Sequence, residues 1–141
     1  MSIEAPENRL FKVEIAPYAQ RHFIKSFERK YKRNWKITLD ALKAQYAHIE
    51  SLVRNNRIPA PIHASADNLH WILKHSFAVA GRDTSPRASG NRTILVTDRE
   101  ALTVCVLLVY HKSDLKDGDE TAQWHAMVKS NCAEYLSAFT L

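Results

Sequence analysis

Residues 102–112 read LTVCVLLVYHK, and eight of the first nine are apolar or β-branched. A run of this kind, without helical spacing, is typical of a strand that is buried on both faces of a sheet. It ends abruptly in Tyr110, His111 and Lys112, three side chains that bind anions or exchange protons. We therefore expect the chemistry of the protein at this end of the sheet.

Two further strands are expected just before this run. Residues 74–79 and 91–96 are both rich in apolar and β-branched side chains, and a Ser-Gly turn at Ser89 precedes the second. Arg82 and Arg87 lie in the polar loop between the two strands, and Arg92 enters the second strand directly after the turn. The segment 74–112 thus predicts three consecutive antiparallel strands with basic side chains near one edge.

The remaining elements are predicted by their periodicity. Residues 10–15 alternate as a half-buried strand, two amphipathic helices follow over about 19–32 and 35–53, and a last helix begins near Asp119. The order β-α-α-β-β-β-α indicates an α+β fold, a small mainly antiparallel sheet packed against helices. We expect one domain over residues 10–141 and a disordered tail over residues 1–9.

Charge is concentrated in one part of the chain, whose net charge is +5. Residues 20–36 contain seven basic residues and one acidic residue, so the remaining 13 basic and 14 acidic residues nearly cancel. A localised positive face predicts a polyanionic partner, most simply nucleic acid, although a solvated helix face without a partner has the same pattern. The candidate RNA-binding residues are Lys25, Arg29, Lys32, Arg33, Lys74 and Arg87.

Several classes of function lack their signature. No cluster of His and Cys has metal-ligand spacing, and the three glycines cannot build a phosphate-binding loop, so we expect neither a metal nor a cofactor. The two cysteines lie in apolar patterns and are interpreted as reduced core thiols. No signal peptide and no apolar run of about 20 residues is present, so we expect a cytoplasmic protein without a membrane partner.

The residues near the sheet edge suit metal-free chemistry on a phosphodiester. In RNA the 2′-hydroxyl attacks its own phosphate, so an enzyme needs only a base, an acid and fixed cations. Imidazole can act as base or acid near neutral pH, which favours His111. The candidate catalytic residues are Arg92, His111, Lys112, Tyr110 and Arg82; each is also an ordinary residue type for the rim of a sheet.

The same pattern resembles the RelE/ParE superfamily of toxins from toxin–antitoxin modules. Three stretches carry the resemblance, namely residues 13–27, the Ser-Gly-Asn-Arg element at 89–92 and the basic strand end at 106–112. It implies a RelE-like endoribonuclease toxin that cleaves mRNA, usually on the ribosome, and is held by a cognate antitoxin. It also implies that Arg92 contacts the scissile phosphate and that Lys112 is the basic residue at the strand end.

The sequence departs from that family where its lysine-rich strand would stand. Residues 77–80, Phe-Ala-Val-Ala, replace it, and the loop before Ser89 is longer than usual. Two alternatives therefore stay open. One is a ParE-like toxin that inhibits gyrase through a protein interface without catalytic residues, and the other is a non-catalytic, basic nucleic-acid-binding module.

Overall fold

A computed structural model describes residues 9–115 and 119–140. The tail expected over residues 1–9 lies outside the described residues except for Arg9, whose guanidinium bonds the Glu50 carboxylate. The strands are β1 (Lys12–Ile15), β2 (His63–Ala64), β3 (His70–Phe77), β4 (Asn91–Asp98) and β5 (Thr103–His111). The helices are α1 (Pro17–Ala19), α2 (Lys25–Tyr31), α3 (Arg33–Tyr46), α4 (Ile49–Arg54), α5 (Pro86–Ser89) and α6 (Glu120–Asn131).

The strands form one sheet in the order β1-β5-β4-β3-β2. β1 pairs with β5 in parallel, with Lys12 opposite Thr103, whereas every other pair is antiparallel. Helices pack on the sheet, so the expected α+β class with a mainly antiparallel sheet is confirmed. None of the helices within the described ranges has both the length and the apolar character needed to cross a bilayer.

β5 lies between β1 and β4 in the sheet, and every residue from Val104 to Tyr110 is buried, as the sequence predicts. One face of the sheet is covered by α2, α3 and α4, where Phe27 and Trp35 pack together with ring centroids 4.7 Å apart. The other face is covered by α6 through Trp124 and Val128, which are fully buried. Burial on both faces explains why the run has no polar alternation.

The two predicted helices are each divided. A stretch of wider helical turns (Gln20–Ile24) joins α1 to α2, and Lys32, with φ of 51°, separates α2 from α3. The second helix, predicted without interruption over 35–53, breaks at Ala47 and His48, and α4 begins at Ile49. The backbone N–H of Phe11 donates to the Ala47 carbonyl, so the break provides an anchor for the chain just before β1.

The sequence did not predict β2 or the short helix α5. β2 pairs only with Trp71 and Ile72 of β3, so residues 74–77 have no neighbouring strand on that side among the described residues. β3 begins at His70 rather than at Lys74, because Trp71, Ile72 and Leu73 are all buried parts of the same strand. α5 lies in the loop predicted between β3 and β4, with the Ser85 hydroxyl accepting from the Ala88 N–H at its start.

Candidate functional site

The two ends of β4 and β5 that carry the predicted site residues lie side by side. Asn91 is opposite His111, and Arg92 is opposite Tyr110. Because successive residues of a strand project to opposite faces, these two pairs separate onto the two sides of the sheet. The candidate residues Arg92 and Tyr110 therefore lie on the α6 side, whereas His111 lies on the α2 side.

On the α6 side, Arg92 and Tyr110 belong to a network of paired side chains. The Tyr110 hydroxyl donates to Glu120 at 2.8 Å, and the same carboxylate forms an ion pair with Lys74. The Arg92 guanidinium is buried and donates to the carbonyls of Asn91 (3.0 Å) and Arg87 (3.2 Å). Each of these charged or polar groups thus has a partner within the protein, as buried polar groups require.

Burial and charge shift the ionisation of this network. Burial raises the pKa of Tyr110 well above its usual value, and the bond to Glu120 raises it further. Burial also raises the pKa of Glu120, but Lys74, Tyr110 and Arg92 more than offset it, so that pKa lies below the usual range. At neutral pH Glu120 is a carboxylate and Tyr110 a neutral phenol, which suits a structural bridge from the sheet to α6.

On the α2 side, His111 is fixed by the turn that follows it. Its Nδ1 accepts from the Ser113 backbone N–H at 3.0 Å and lies 2.7 Å from the Ser113 hydroxyl, while the His111 N–H donates to Asp114. A backbone N–H can only donate, so Nδ1 is the acceptor and the neutral ring carries its proton on Nε2. Nε2 lies against Gly90, since a Cβ built there would be 2.6 Å away.

Two recesses open at this rim of the sheet, and His111 lines the first of them. The first is lined by His111, Ser113 and Asp114 together with Ser26 and Phe27. The second is lined by the β3–β4 loop and α5, at Ala78, Val79, Arg82, Thr84, Ala88 and Ser89. Lys30, Tyr31 and Asn91 line both recesses, so the two form one polar region, which we call the rim cleft.

Asn91 stands at the junction of the two recesses on a fixed backbone. Its N–H donates to the Ser89 hydroxyl at 3.0 Å, and its carbonyl accepts from Arg92. The Ser89 hydroxyl also lies 2.6 Å from the Phe77 and Pro86 carbonyls, which joins β3, α5 and β4. The Asn91 side chain is buried, and its Oδ1 has no hydrogen-bond partner among the described residues.

The remaining predicted residues surround the rim cleft in different ways. Arg82 is exposed, with its guanidinium carbon 5.0 Å from the centroid of the Tyr31 ring. Arg87 is exposed on α5, and Lys112 is exposed just beyond β5 with its N–H donating to the Gly90 carbonyl. Of the predicted RNA-binding residues, Lys25, Arg29, Lys32 and Arg33 are exposed on α2 and at the start of α3.

Sequence reasoning did not single out Lys30, Tyr31, Asn91 or Ser113. In the sequence, Lys30 is one of the seven basic residues of 20–36, and Tyr31 continues the apolar stripe of the first predicted helix. Asn91 is adjacent to Arg92, and Ser113 lies two residues after His111, a spacing at which a hydroxyl can reach an imidazole across a turn. That turn was the only available signal, because Lys30 and Tyr31 reach the site through tertiary packing.

A second buried polar network lies deeper on the α2 side. The Tyr46 hydroxyl lies 2.7 Å from His75 Nδ1 and 2.6 Å from the Thr93 hydroxyl. Burial lowers the pKa of His75 to about 4, so this imidazole is neutral at pH 7. We interpret this network as structural, since it joins α3 to the middle of the sheet. In the described ranges no three His, Cys, Asp or Glu residues are grouped as metal ligands would be.

Comparisons of the chain with known protein families, with curated proteins and with solved structures found no match.

Proposed function

We propose that the protein binds single-stranded RNA across the basic surface of α2 and cleaves it in the rim cleft without a metal. The observation that carries this proposal is the position of His111, held beside Lys30 in a polar recess next to α2. α2 and the residues beside it present a row of exposed cations, at Lys25, Arg29, Lys30, Lys32 and Arg33. A phosphate backbone that follows this row would lead to the imidazole.

The residues of the rim cleft supply the groups that this reaction needs. The Ser113 hydroxyl donates to His111 Nδ1, so its oxygen can accept the 2′ proton as its own proton passes to the imidazole. The 2′-oxygen then forms a bond to phosphorus, the bond to the 5′-oxygen breaks, and imidazolium returns a proton to that leaving oxygen. Lys30, Lys112 and Arg82 are the exposed cations placed to balance charge on the phosphorane.

Arg92 has a different role in this proposal. Its guanidinium is bound to the carbonyls of Asn91 and Arg87 on the far side of the sheet from His111. It therefore acts as a positioning residue, which fixes the backbone that carries Asn91 and α5. The RelE-like role, in which Arg92 contacts the phosphate, requires the scissile phosphate to reach this buried guanidinium on the α6 side of the sheet.

The resemblance extends the proposal to a biological setting. A RelE-like toxin would act in the cytoplasm on mRNA, usually at the ribosome, and a cognate antitoxin would neutralise it. An acidic or amphipathic antitoxin segment suits the exposed cations of α2 by charge complementarity.

One observation favours a second function, binding without cleavage. His111 Nδ1 already accepts from both the N–H and the hydroxyl of Ser113, so the ring has no unoccupied acceptor in this state. In that case the row of cations on α2 is the whole function, and affinity for RNA falls steeply with salt concentration.

Induced expression in a bacterial host tests the proposal, with mRNA ends mapped for wild type, His111→Ala and Lys30→Ala. Lys43→Ala is a matched control, because Lys43 is an exposed lysine on α3 outside the rim cleft. We expect new cuts within translated regions for wild type and the control, and a loss of about 100-fold or more for His111→Ala. Growth arrest with intact messages would replace the proposal with another target such as gyrase. The absence of both arrest and cuts would leave only the binding function.

A further inference from the structure

The Tyr31 ring forms one wall of the rim cleft and has a cation above it. Tyr31 is half-buried, and Phe27 stacks beneath it with the ring planes 28° apart. The Arg82 guanidinium carbon lies 5.0 Å from the Tyr31 centroid, and the loop that carries Arg82 is exposed. An aromatic ring packed against a second ring and an exposed planar cation facing it are the two kinds of group that hold an unstacked nucleobase.

Asn91 adds a group that can distinguish one base from another. Its Oδ1 is buried without a hydrogen-bond partner among the described residues, and the side chain lines both recesses beside Tyr31. An acceptor that lacks a donor in the free protein is satisfied by a base that brings an exocyclic amino group.

We propose that Tyr31, Arg82 and Asn91 form a nucleobase-binding subsite that prefers a base with an exocyclic amino group. This inference rests on the proposed function, because the same cleft would bind the RNA. Tyr31 and Arg82 enclose the base between their planes, which acts on every base alike. The Asn91 oxygen accepts from the amino group, which favours cytosine over uracil at this position.

Cytosine and uracil are the sharpest pair for the test, because they have the same ring and differ in the groups along one edge. Labelled 2′-O-methyl tetramers of cytidine and of uridine cannot be cleaved, so fluorescence anisotropy reports binding alone. Wild type is expected to bind the cytidine tetramer about tenfold more tightly than the uridine tetramer. Equal affinity of wild type for the two tetramers would overturn the assignment.

Two variants and one control separate the parts of the subsite. Tyr31→Leu is expected to weaken both tetramers about fivefold or more, because stacking does not depend on the base. The matched control is Tyr18→Leu, since Tyr18 is a half-buried tyrosine that contacts His22 and Phe23 instead of the rim cleft. Asn91→Ala is expected to abolish the preference for cytidine while leaving uridine affinity within about twofold.

Asn91 is buried, so Asn91→Asp accompanies the alanine variant, with circular dichroism as the check on folding. The aspartate retains an acceptor oxygen and is expected to retain a preference for cytidine. A preference that persists in a folded Asn91→Ala protein would contradict the role of Asn91.

The binding experiments also distinguish a failure of the nucleobase subsite from a failure of RNA binding as a whole. Lys25→Glu with Arg29→Glu reverses charge on α2 and is expected to weaken both tetramers. If that variant loses binding while wild type binds the two tetramers equally, RNA binding stands and the subsite is wrong. If wild type binds neither tetramer, both the subsite and the proposed function are contradicted.

Discussion

The imidazole of His111 rests directly on the backbone of Gly90. Gly90 has φ of 80°, and a Cβ at this residue would lie 2.6 Å from Nε2 and 3.0 Å from the adjacent ring carbon. The Gly90 carbonyl also accepts from the Lys112 N–H, so the turn before β4 and the end of β5 are joined at this contact. Glycine is required here both by its conformation and by the ring above it.

Gly90→Ala is therefore expected to affect stability and the candidate site together. The left-handed conformation costs an alanine about 1–2 kcal/mol, and the methyl group displaces the imidazole from Ser113. We expect a loss of that size in the free energy of unfolding, measured in urea, and a loss of cleavage.

Gly81→Ala is the matched control for this substitution. Gly81 also has φ of 80°, but the nearest atom to its Cβ would be the side-chain amide of Asn34 at 3.2 Å. It should lose a similar amount of stability and retain cleavage. Equal loss of cleavage in both variants would show that the His111 contact has no special role.

Arg92→Ala is expected to lower the free energy of unfolding, independently of any effect on RNA cleavage. The substitution leaves the carbonyls of Asn91 and Arg87 without their donor and removes a charge beside Glu120. Hydrogen bonds from a charged donor contribute about 1.5–3 kcal/mol, so we expect a loss in that range. Arg92→Lys keeps the charge but not the forked geometry, and should recover part of the stability.

The relation of Arg92 to activity is measured at a temperature where wild type and variant are both folded. If folded Arg92→Lys cleaves RNA like wild type, Arg92 acts through the backbone. A loss of cleavage of 100-fold or more at full folding would instead favour direct contact with the phosphate.

Glu50 is expected to be the most sensitive charged residue outside the rim cleft. Its buried carboxylate accepts from Arg9 and from Arg99, and the Arg99 guanidinium lies 4.3 Å from the centroid of Trp71. Glu50→Ala leaves two arginines without their acceptor and is expected to cost about 3 kcal/mol, since both arginines remain partly accessible to water. Chemical denaturation measures the loss, and an effect below about 1 kcal/mol would contradict it.

The same carboxylate predicts a response to acid. Burial raises the pKa of Glu50, but its bonds to Arg9 and Arg99 more than offset it, so the folded-state pKa lies below the usual value. A carboxyl group with a depressed pKa adds stability above its unfolded pKa and loses it as the pH falls through the folded pKa. Stability should therefore fall below about pH 4.3, and Glu50→Gln should flatten that part of the profile.

His75 predicts a separate step at higher pH. Burial lowers its pKa to about 4, whereas an unfolded histidine titrates near pH 6.5. The unfolded chain therefore binds a proton that the folded protein excludes, so stability is full above about pH 6.5 and declines as the pH falls toward 4. The expected loss is on the order of 3 kcal/mol. His75→Gln should reduce this slope, whereas His48→Gln, at an exposed position, should leave it unchanged.

The sequence predicts the fold well where one signal dominates. The apolar run of β5 indicates a strand buried on both faces, and the alternation of residues 10–15 indicates β1. The sequence does not indicate β2, because two residues are too few to show a hydrophobic period. It does not indicate the break at Ala47, because the helical spacing of apolar residues continues across the break. Propensity cannot detect a break that is stabilised by a distant partner, in this case Phe11.

The candidate site is less predictable for a reason specific to β5. The residues before Tyr110 are buried on both faces, so no alternation reveals which side Tyr110 or His111 will occupy. The register between β4 and β5 is irregular, because Ile94 is opposite Leu108 whereas Leu95 is opposite Val106. The face of the sheet on which each later residue of β5 lies depends on this irregularity. The sequence thus predicts that Arg92, Tyr110 and His111 lie at one rim of the sheet. It does not predict that Arg92 and Tyr110 lie on one face of the sheet and His111 on the other.

The parallel pairing of β1 with β5 has a consequence for how the chain is made. Lys12 pairs with Thr103, and Ile15 pairs with Val106, so β1 is paired by a segment that is synthesised much later than β1 itself. Contacts this distant along the chain form slowly, because a long loop must close before they are gained. During translation β1 stays unpaired until β5 has left the ribosome. Until then the edge of β1 is free to form a non-native strand pair.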